Sequence, residues 1–196
     1  MFRLSPRLTV GAALLLGVAL LSAPARGRDD DEKEIKQAAE AVKKLAGNLD
    51  AKNVEQQAAA IAKANDIEHV MHQFKPRNKG GMGIGAAPIP GMKDSIELAI
   101  IDFSGKKAPD AATIKQNQAD LIKMAEITQA IAEINQHYKA PPGKAAPQKW
   151  KTYTNDMKAG AKDLTDAAKA GDAMKFKAAA NKLNASCTGC HEDFRD

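Results

Sequence analysis

The stretch that decides the fold is the C-terminal segment CTGCHEDFRD, from Cys187 to Asp196. It contains C-x-x-C-H, the pattern typical of covalent attachment of a c-type haem. Two thiols held close together can add to the two vinyl groups of one porphyrin, and the histidine that follows can bind the iron as an axial ligand. If the segment is helical, Cys187 and His191 lie at i and i+4 and share a face. The motif therefore assigns Cys187 and Cys190 to the haem thioethers and His191 to the proximal iron ligand.

A C-x-x-C pair also occurs in redox dithiols, in zinc sites and as a disulfide. A thioredoxin-like dithiol needs a βαβ context, which this sequence does not indicate. A zinc site needs two further ligands at motif spacing, but His69, His72 and His137 are distant and the chain has two cysteines, both in this motif. Haem attachment is therefore the favoured interpretation. The alternative is a helical binding module in which the pair forms a disulfide or a metal clip.

The first 25 residues have the features of a secretory signal peptide. Arg3 and Arg7 precede an apolar run over residues 10–21, and Ala23-Pro24-Ala25 fits an A-x-A cleavage site. The apolar run is shorter than the roughly 20 residues that a transmembrane helix needs, although an uncleaved anchor is the rival interpretation. We expect a periplasmic protein with no stable membrane insertion after signal removal. Residues 26–196 then form a single haem-binding domain.

Composition favours an all-α fold. Aromatic residues make up 4% of the chain, and no convincing run alternates β-branched with polar residues. Loss of Arg3 and Arg7 with the signal peptide would lower the net charge from +5 to +3, which is weak and indicates no acidic partner. No basic patch is interleaved with aromatics, so nucleic acid is not an expected partner.

Apolar spacing, Gly/Pro clusters and capping residues divide the chain into helices. Asp50 and Asp110 are candidate N-caps, and Asp94 with Glu97 fits a capping box. The segment 76–91 is rich in glycine and proline and is predicted to be a loop. The predicted helices span 30–47, 51–75, 94–103, 111–138, 148–170 and 173–194.

The last two predicted helices form the clearest pair. Gly171 suits the C-cap of the first, and Asp172 suits the N-cap of the second. Apolar residues of the final helix recur at steps of three and four, as in the seam of a helical bundle. Both cysteines fall on this predicted inward seam, so a haem would fill the core between helices. The seam residues are Ala173, Phe176, Ala180, Leu183, Cys187, Cys190 and Phe194.

These features resemble the class II c-type cytochromes, the cytochrome c-prime group, which carry C-x-x-C-H on the final helix of a four-helix bundle. The resemblance rests on the motif, on the trailing Phe194-Arg195 and on the Ala170-Gly171-Asp172 turn, and it covers about 111–196. It implies an antiparallel four-helix bundle. The family's mature chain is shorter, so the fold expected here adds one N-terminal helix, and the Gly/Pro-rich inter-helix loop 76–91 also has no clear counterpart in the family. It also implies one covalently attached haem c with its iron. Arg195 would lie near the proximal ligand, or would simply be a surface charge.

The sixth iron position distinguishes members of that family, because some leave it open and others fill it with a methionine from the first bundle helix. Taking 51–75 as that helix, Met71 shares an apolar face with Ile67 and Phe74, so Met71 is the candidate sixth ligand. Its alternative role is core packing. The rival ligands are Met92, Met124 and Met157, followed by His72.

The function that these features favour is monohaem electron transfer in the periplasm, without enzymatic catalysis. The alternative is a five-coordinate haem protein that binds or senses nitric oxide or carbon monoxide. A haem peroxidase would need a distal His/Arg pair, which sequence alone cannot reveal. The sequence identifies no particular redox partner protein, and family resemblance makes a homodimer one expectation for the assembly.

Overall fold

Helices make up most of the chain in the computed structural model, which describes residues 28–141 and 145–195, and this part contains no strand. The predicted signal peptide, residues 1–25, lies outside the described residues. The all-α class is confirmed. Single turns of 3₁₀ helix occupy His72–Phe74 and Arg77–Lys79. The α-helices are α1 (Arg28–Ala46), α2 (Val54–Ala64), α3 (Ile67–Met71), α4 (Ile96–Ser104), α5 (Ala111–Gln116), α6 (Gln118–Asn135), α7 (Pro147–Ala170) and α8 (Ala173–Phe194).

The long pair α7 and α8 forms an antiparallel hairpin, as predicted. Gly171 ends α7 with φ of 67°, a left-handed conformation that glycine adopts without steric cost. The Asp172 carboxylate then accepts a hydrogen bond from the Lys175 amide at 3.0 Å and caps α8. Further along, Gly160 lies directly against Leu183, so a residue without a side chain allows the two helices to approach closely.

Two further helices flank this hairpin and run antiparallel to their neighbours. On one side α4 packs against α8, where the Phe103 and Phe176 ring centroids lie 5.5 Å apart. On the other side α6 packs against α7, and Lys158 Nζ lies 2.8 Å from Glu133 Oε2. The order across the bundle is therefore α4, α8, α7 and α6. As a result the C-terminal end of α8 meets the first turns of α4 and α7.

The additional N-terminal helix is present as α1, and its inner face belongs to the common core. It packs against α6, α2 and α3. Ala38, Val42 and Leu45 are completely buried, which fits the apolar spacing of the sequence. Gln73, also buried, donates its amide hydrogens to the carbonyls of Ile35 in α1 and His69 in α3.

The prediction of one helix over 51–75 is wrong, because the chain leaves the helical conformation at Asn65 and Asp66. The Asn65 amide bonds back to the Ile61 carbonyl at 2.9 Å, and Tyr138 donates to the Asn65 carbonyl at 2.7 Å. Asparagine competes for backbone partners in this way and so ends helices. Asp50 therefore caps no helix, and α2 begins after Asn53.

The predicted helix over 111–138 is likewise divided and shorter. Asp110 caps α5 as expected, accepting from the Thr113 amide at 2.8 Å. Asn117 then leaves the helical conformation, with its amide bonded to the Thr113 carbonyl. The second part, α6, ends at Asn135.

The Gly/Pro-rich segment 76–91 is a loop, as predicted, but it is anchored to the core. Its side chains Met82, Ile84 and Ile89 are buried. Arg77 bonds both carboxylate oxygens of Asp94 and the Gly85 carbonyl. Because Asp94 is engaged there, Ser95 caps α4 instead, accepting from the Leu98 amide at 3.3 Å. Within the described residues, no helix is both long and apolar enough to span a membrane.

Candidate functional site

The C-x-x-C-H motif occupies the last two turns of α8, at the end of the bundle where α4 and α7 begin. Cys187, Cys190 and His191 are all half-buried. Most of the predicted seam is buried as expected, including Leu183 and Phe194. The two cysteines lie at the edge of this seam, so their thiols combine contact with the protein and access from outside.

Helix α7 packs against the motif through a tyrosine. A Cβ atom added to Gly189 would lie 2.6 Å from Tyr153 Cε1, so the middle of the motif needs glycine to accept the ring. The Tyr153 hydroxyl donates to Asp193 at 2.8 Å, and Lys149 donates to the same carboxylate at 3.2 Å. These hydrogen bonds hold the pKa of Asp193 below its usual value. They fix the end of α8 against the start of α7.

An aromatic pair closes the same end of the bundle. Trp150 and Phe194 meet edge to face with ring centroids 5.4 Å apart, a geometry that aromatic pairs prefer. The indole nitrogen of Trp150 donates to the Tyr138 carbonyl at 3.1 Å. The chain after α6 is thereby tied to the helix that faces the motif.

Helix α4 contributes a carboxylate to the opposite side of the motif. The charge of Glu97 acts on the thiol and the imidazole together: it adds a small part to the raised pKa of Cys187, which is due mainly to burial, and it partly opposes the burial and the Arg195 charge that lower the pKa of His191. One turn later on the same helix, Ile101 is an exposed apolar side chain, with 46% of its surface accessible. The sequence had suggested only a capping role for Glu97.

Burial controls the protonation of the three motif side chains. It raises the pKa of the Cys187 thiol to about 11 and also raises that of Cys190. Burial, followed by the positive charge of Arg195, lowers the pKa of His191. At neutral pH the imidazole is therefore neutral, which is the form that binds iron. Arg195 itself is exposed, and its role near the proximal ligand remains a prediction.

The residues of this site fit a covalently held haem. Two uncharged thiols and one neutral imidazole project from adjacent turns of a single helix. A covalently attached haem needs these groups, two thiols for the porphyrin and one imidazole for the iron. At the end of α6, Asn135 Oδ1 and Gln136 Nε2 are buried without a hydrogen-bond partner among the described residues. Such orphaned polar atoms are rare in a finished core.

The methionines named as sixth-ligand candidates fall in three places. The Asn135 amide nitrogen lies 3.2 Å from Met71 Sδ and 3.7 Å from Met157 Sδ, so one buried side chain brings these two together. Met124 is completely buried in α6. Met92 lines a cleft of about 420 Å³ that also includes Phe103.

His72, the weaker rival, is engaged by the Lys79 carbonyl at 2.7 Å. Ligation by Met71 stays a prediction. The Met71 sulfur contacts Asn135. The Asn135–Met71–Met157 cluster gave no signal in the sequence, because its members come from three separate helices.

The comparison with protein families confirms the resemblance to the class II c-type cytochromes. The family model described as cytochrome C′ matches residues 92–195, from just before α4 to the end of the motif helix. Comparisons with curated proteins and with solved structures found no match for this chain. Helices α1, α2 and α3 lie before the matched segment.

Proposed function

The chain belongs to the cytochrome c′ family of c-type haem proteins, and from this premise we propose that it is a monohaem electron carrier of the periplasm. The observation that carries the proposal is the placement of Cys187, Cys190 and His191 in a half-buried position at one end of the bundle. A redox group held there lies close enough to the surface for electron exchange and is still surrounded by protein on several sides.

Each residue of the site has a defined task in this proposal. Cys187 and Cys190 hold the porphyrin through thioether bonds, and His191 binds the iron from the proximal side. When bound, the haem supplies one-electron chemistry through its ferric and ferrous states. Tyr153, together with the Asp193 carboxylate that it contacts, keeps the motif helix in a fixed orientation.

The remaining features of the proposal follow from the family and from the chemistry. Cytochrome c′ proteins are typically exported, which agrees with the predicted signal peptide at residues 1–25. We propose other redox proteins as partners and no catalysed reaction, because electron transfer needs no protein group to act as acid, base or nucleophile.

A gas-binding haem protein is the second candidate, and two observations favour it. Helix α4, which packs against α8, contains no methionine or histidine that could fill the sixth iron position. Met71 Sδ already accepts a hydrogen bond from Asn135. An iron left five-coordinate would bind nitric oxide or carbon monoxide directly.

Optical spectra of the protein matured in the periplasm separate the two candidates. For the carrier with a methionine ligand we expect low-spin spectra in both redox states, a weak near-infrared band in the ferric state and slow binding of carbon monoxide. A high-spin ferrous spectrum with immediate carbon monoxide binding would contradict the carrier and select the gas-binding function. Absence of a haem spectrum would contradict both.

A further inference from the structure

A second cluster of metal-ligating side chains lies outside the cytochrome segment, where α1 meets α3. One ligand atom from each of Asp31, Glu34 and His69 lies within 4.8 Å of the other two. Asp31 and Glu34 are three residues apart on α1 and share a face, and His69 approaches from α3. We propose that these residues bind a divalent first-row metal ion of the Zn²⁺ type. This site is independent of the haem and of the function proposed above.

The distance between the two central ligands suits a shared metal ion. His69 Nδ1 lies 3.4 Å from Glu34 Oε2, which is longer than the 2.7–3.2 Å usual for an N–H···O hydrogen bond. Metal–ligand bonds of about 2.0–2.1 Å that meet at the tetrahedral angle place two donor atoms roughly 3.4 Å apart. The separation of this pair, which forms an ion pair in the protein alone, therefore matches tetrahedral coordination, and the Asp31 ligand atom lies within 4.8 Å of both.

The chemistry of the donors indicates the class of ion. One imidazole with two carboxylates suits zinc and its neighbours, whereas sites for calcium or magnesium are built from oxygen alone. Three protein ligands also leave a position for water, as in open zinc sites. The side chain of His69 is only 13% exposed and that of Glu34 is 38% exposed, so the ion would be partly shielded from solvent.

A buried glutamine organises the residues behind this cluster. Gln73 is completely buried, and its amide nitrogen donates to the carbonyl of His69 at 3.0 Å and to that of Ile35 at 3.1 Å. It thus joins the backbone of the two ligand-bearing helices next to Glu34 and His69. Its Oε1 has no hydrogen-bond partner among the described residues. Hydrogen bonds of the kind that the Gln73 amide nitrogen makes behind the ligands help to orient metal-binding side chains.

Zinc binding by the full, haem-loaded protein tests this proposal. The probe is Zn²⁺, measured by equilibrium dialysis with metal analysis and by calorimetry. We expect one zinc ion per chain in the wild type, and an affinity weakened by at least about tenfold in Glu34→Gln and in His69→Ala, because even outer-shell changes weaken metal sites by 10–100-fold. The matched controls are Glu32→Gln on the same helix and His137→Ala, which should bind as the wild type does.

Melting curves with and without zinc distinguish a metal site from a purely structural contact. Zinc should raise the melting temperature of the wild type and of both controls, and it should leave Glu34→Gln unchanged. Unaltered zinc affinity in either ligand variant, or no binding by the wild type, overturns the proposal. If His69→Ala fails to fold, the conservative Glu34→Gln variant decides the question alone.

Discussion

The two motif thiols differ in their surroundings, although they are three residues apart on one helix. Burial is the main cause of the raised pKa of Cys187. The hydrogen bond with Ser186 lowers this pKa, whereas the charges of Cys190 and Glu97 raise it further. For Cys190, burial acts together with Asp193. Both thiols are therefore kept protonated, which limits their oxidation and alkylation before haem is attached.

The first prediction concerns the alkylation of Cys187 in a Cys190→Ser variant without haem. Only the thiolate reacts, and burial raises the pKa of Cys187 in the folded chain from 9.0 to about 11. The alkylation rate should therefore rise with pH through a midpoint of about 11. In denaturant the midpoint should return to about 9. Circular dichroism of the variant is the control for a folded, helical chain. A midpoint near 9 in the folded chain would show that Cys187 is not buried as described.

The second residue-scale prediction identifies the sixth iron ligand. If Met71 binds the iron, Met71→Ala should abolish the near-infrared band and accelerate carbon monoxide binding. Met157→Ala should then retain the band, although both sulfur atoms lie near Asn135. The matched control is Met174→Ala, at a methionine that is 84% exposed. If Met157→Ala loses the near-infrared band and Met71→Ala retains it, Met157 and not Met71 is the sixth iron ligand.

Among the helices, the sequence predicted the long, strongly periodic ones and missed the interruptions. Apolar spacing together with the Gly171-Asp172 turn located α7 and α8 closely. The sequence did not predict the helix breaks at Asn65 and Asn117, because an asparagine inside a periodic segment is compatible with a helix. Whether its amide turns back to a carbonyl depends on tertiary contacts, such as the hydroxyl of Tyr138 on the Asn65 carbonyl.

A similar limit applies to the start of α4. Asp94 and Ser95 are both good capping residues, and the local sequence does not choose between them. The choice depends on Arg77, which is 17 positions away in sequence and binds the Asp94 carboxylate. Ser95 is then left to cap the helix and also donates to the Phe74 carbonyl.

The third prediction tests the close approach of α7 and α8. In Gly160→Ala the new Cβ would lie 3.1 Å from Leu183 Cγ and 3.2 Å from the Leu183 backbone nitrogen. Overpacking of this kind costs about 1–3 kcal/mol, whereas alanine gains about 1 kcal/mol of helix propensity over glycine. We therefore expect a net loss of roughly 1 kcal/mol in the free energy of unfolding by denaturant. A Leu183→Ala background should reduce the loss, and a gain in stability would contradict the described contact.

At the scale of the whole molecule, the segment before the family match is not a detached addition. Helix α1 buries three side chains in the common core, and Gln73 joins it to α3. The sequence could locate the haem motif because its three functional residues are contiguous. It could not identify Glu97 or Tyr153 as neighbours of the motif, since only the packing of α4 and α7 against α8 brings them there.

The most direct test of the account is the intact mass of the matured protein under denaturing conditions. A haem joined by two thioether bonds stays with the chain after unfolding, whereas a haem held only through its iron dissociates. We expect the wild type to have the mass of residues 26–196 plus one haem, and the Cys187→Ala, Cys190→Ala double variant to carry none. A wild-type chain without added haem, or a double variant that retains it, would contradict covalent attachment at this motif.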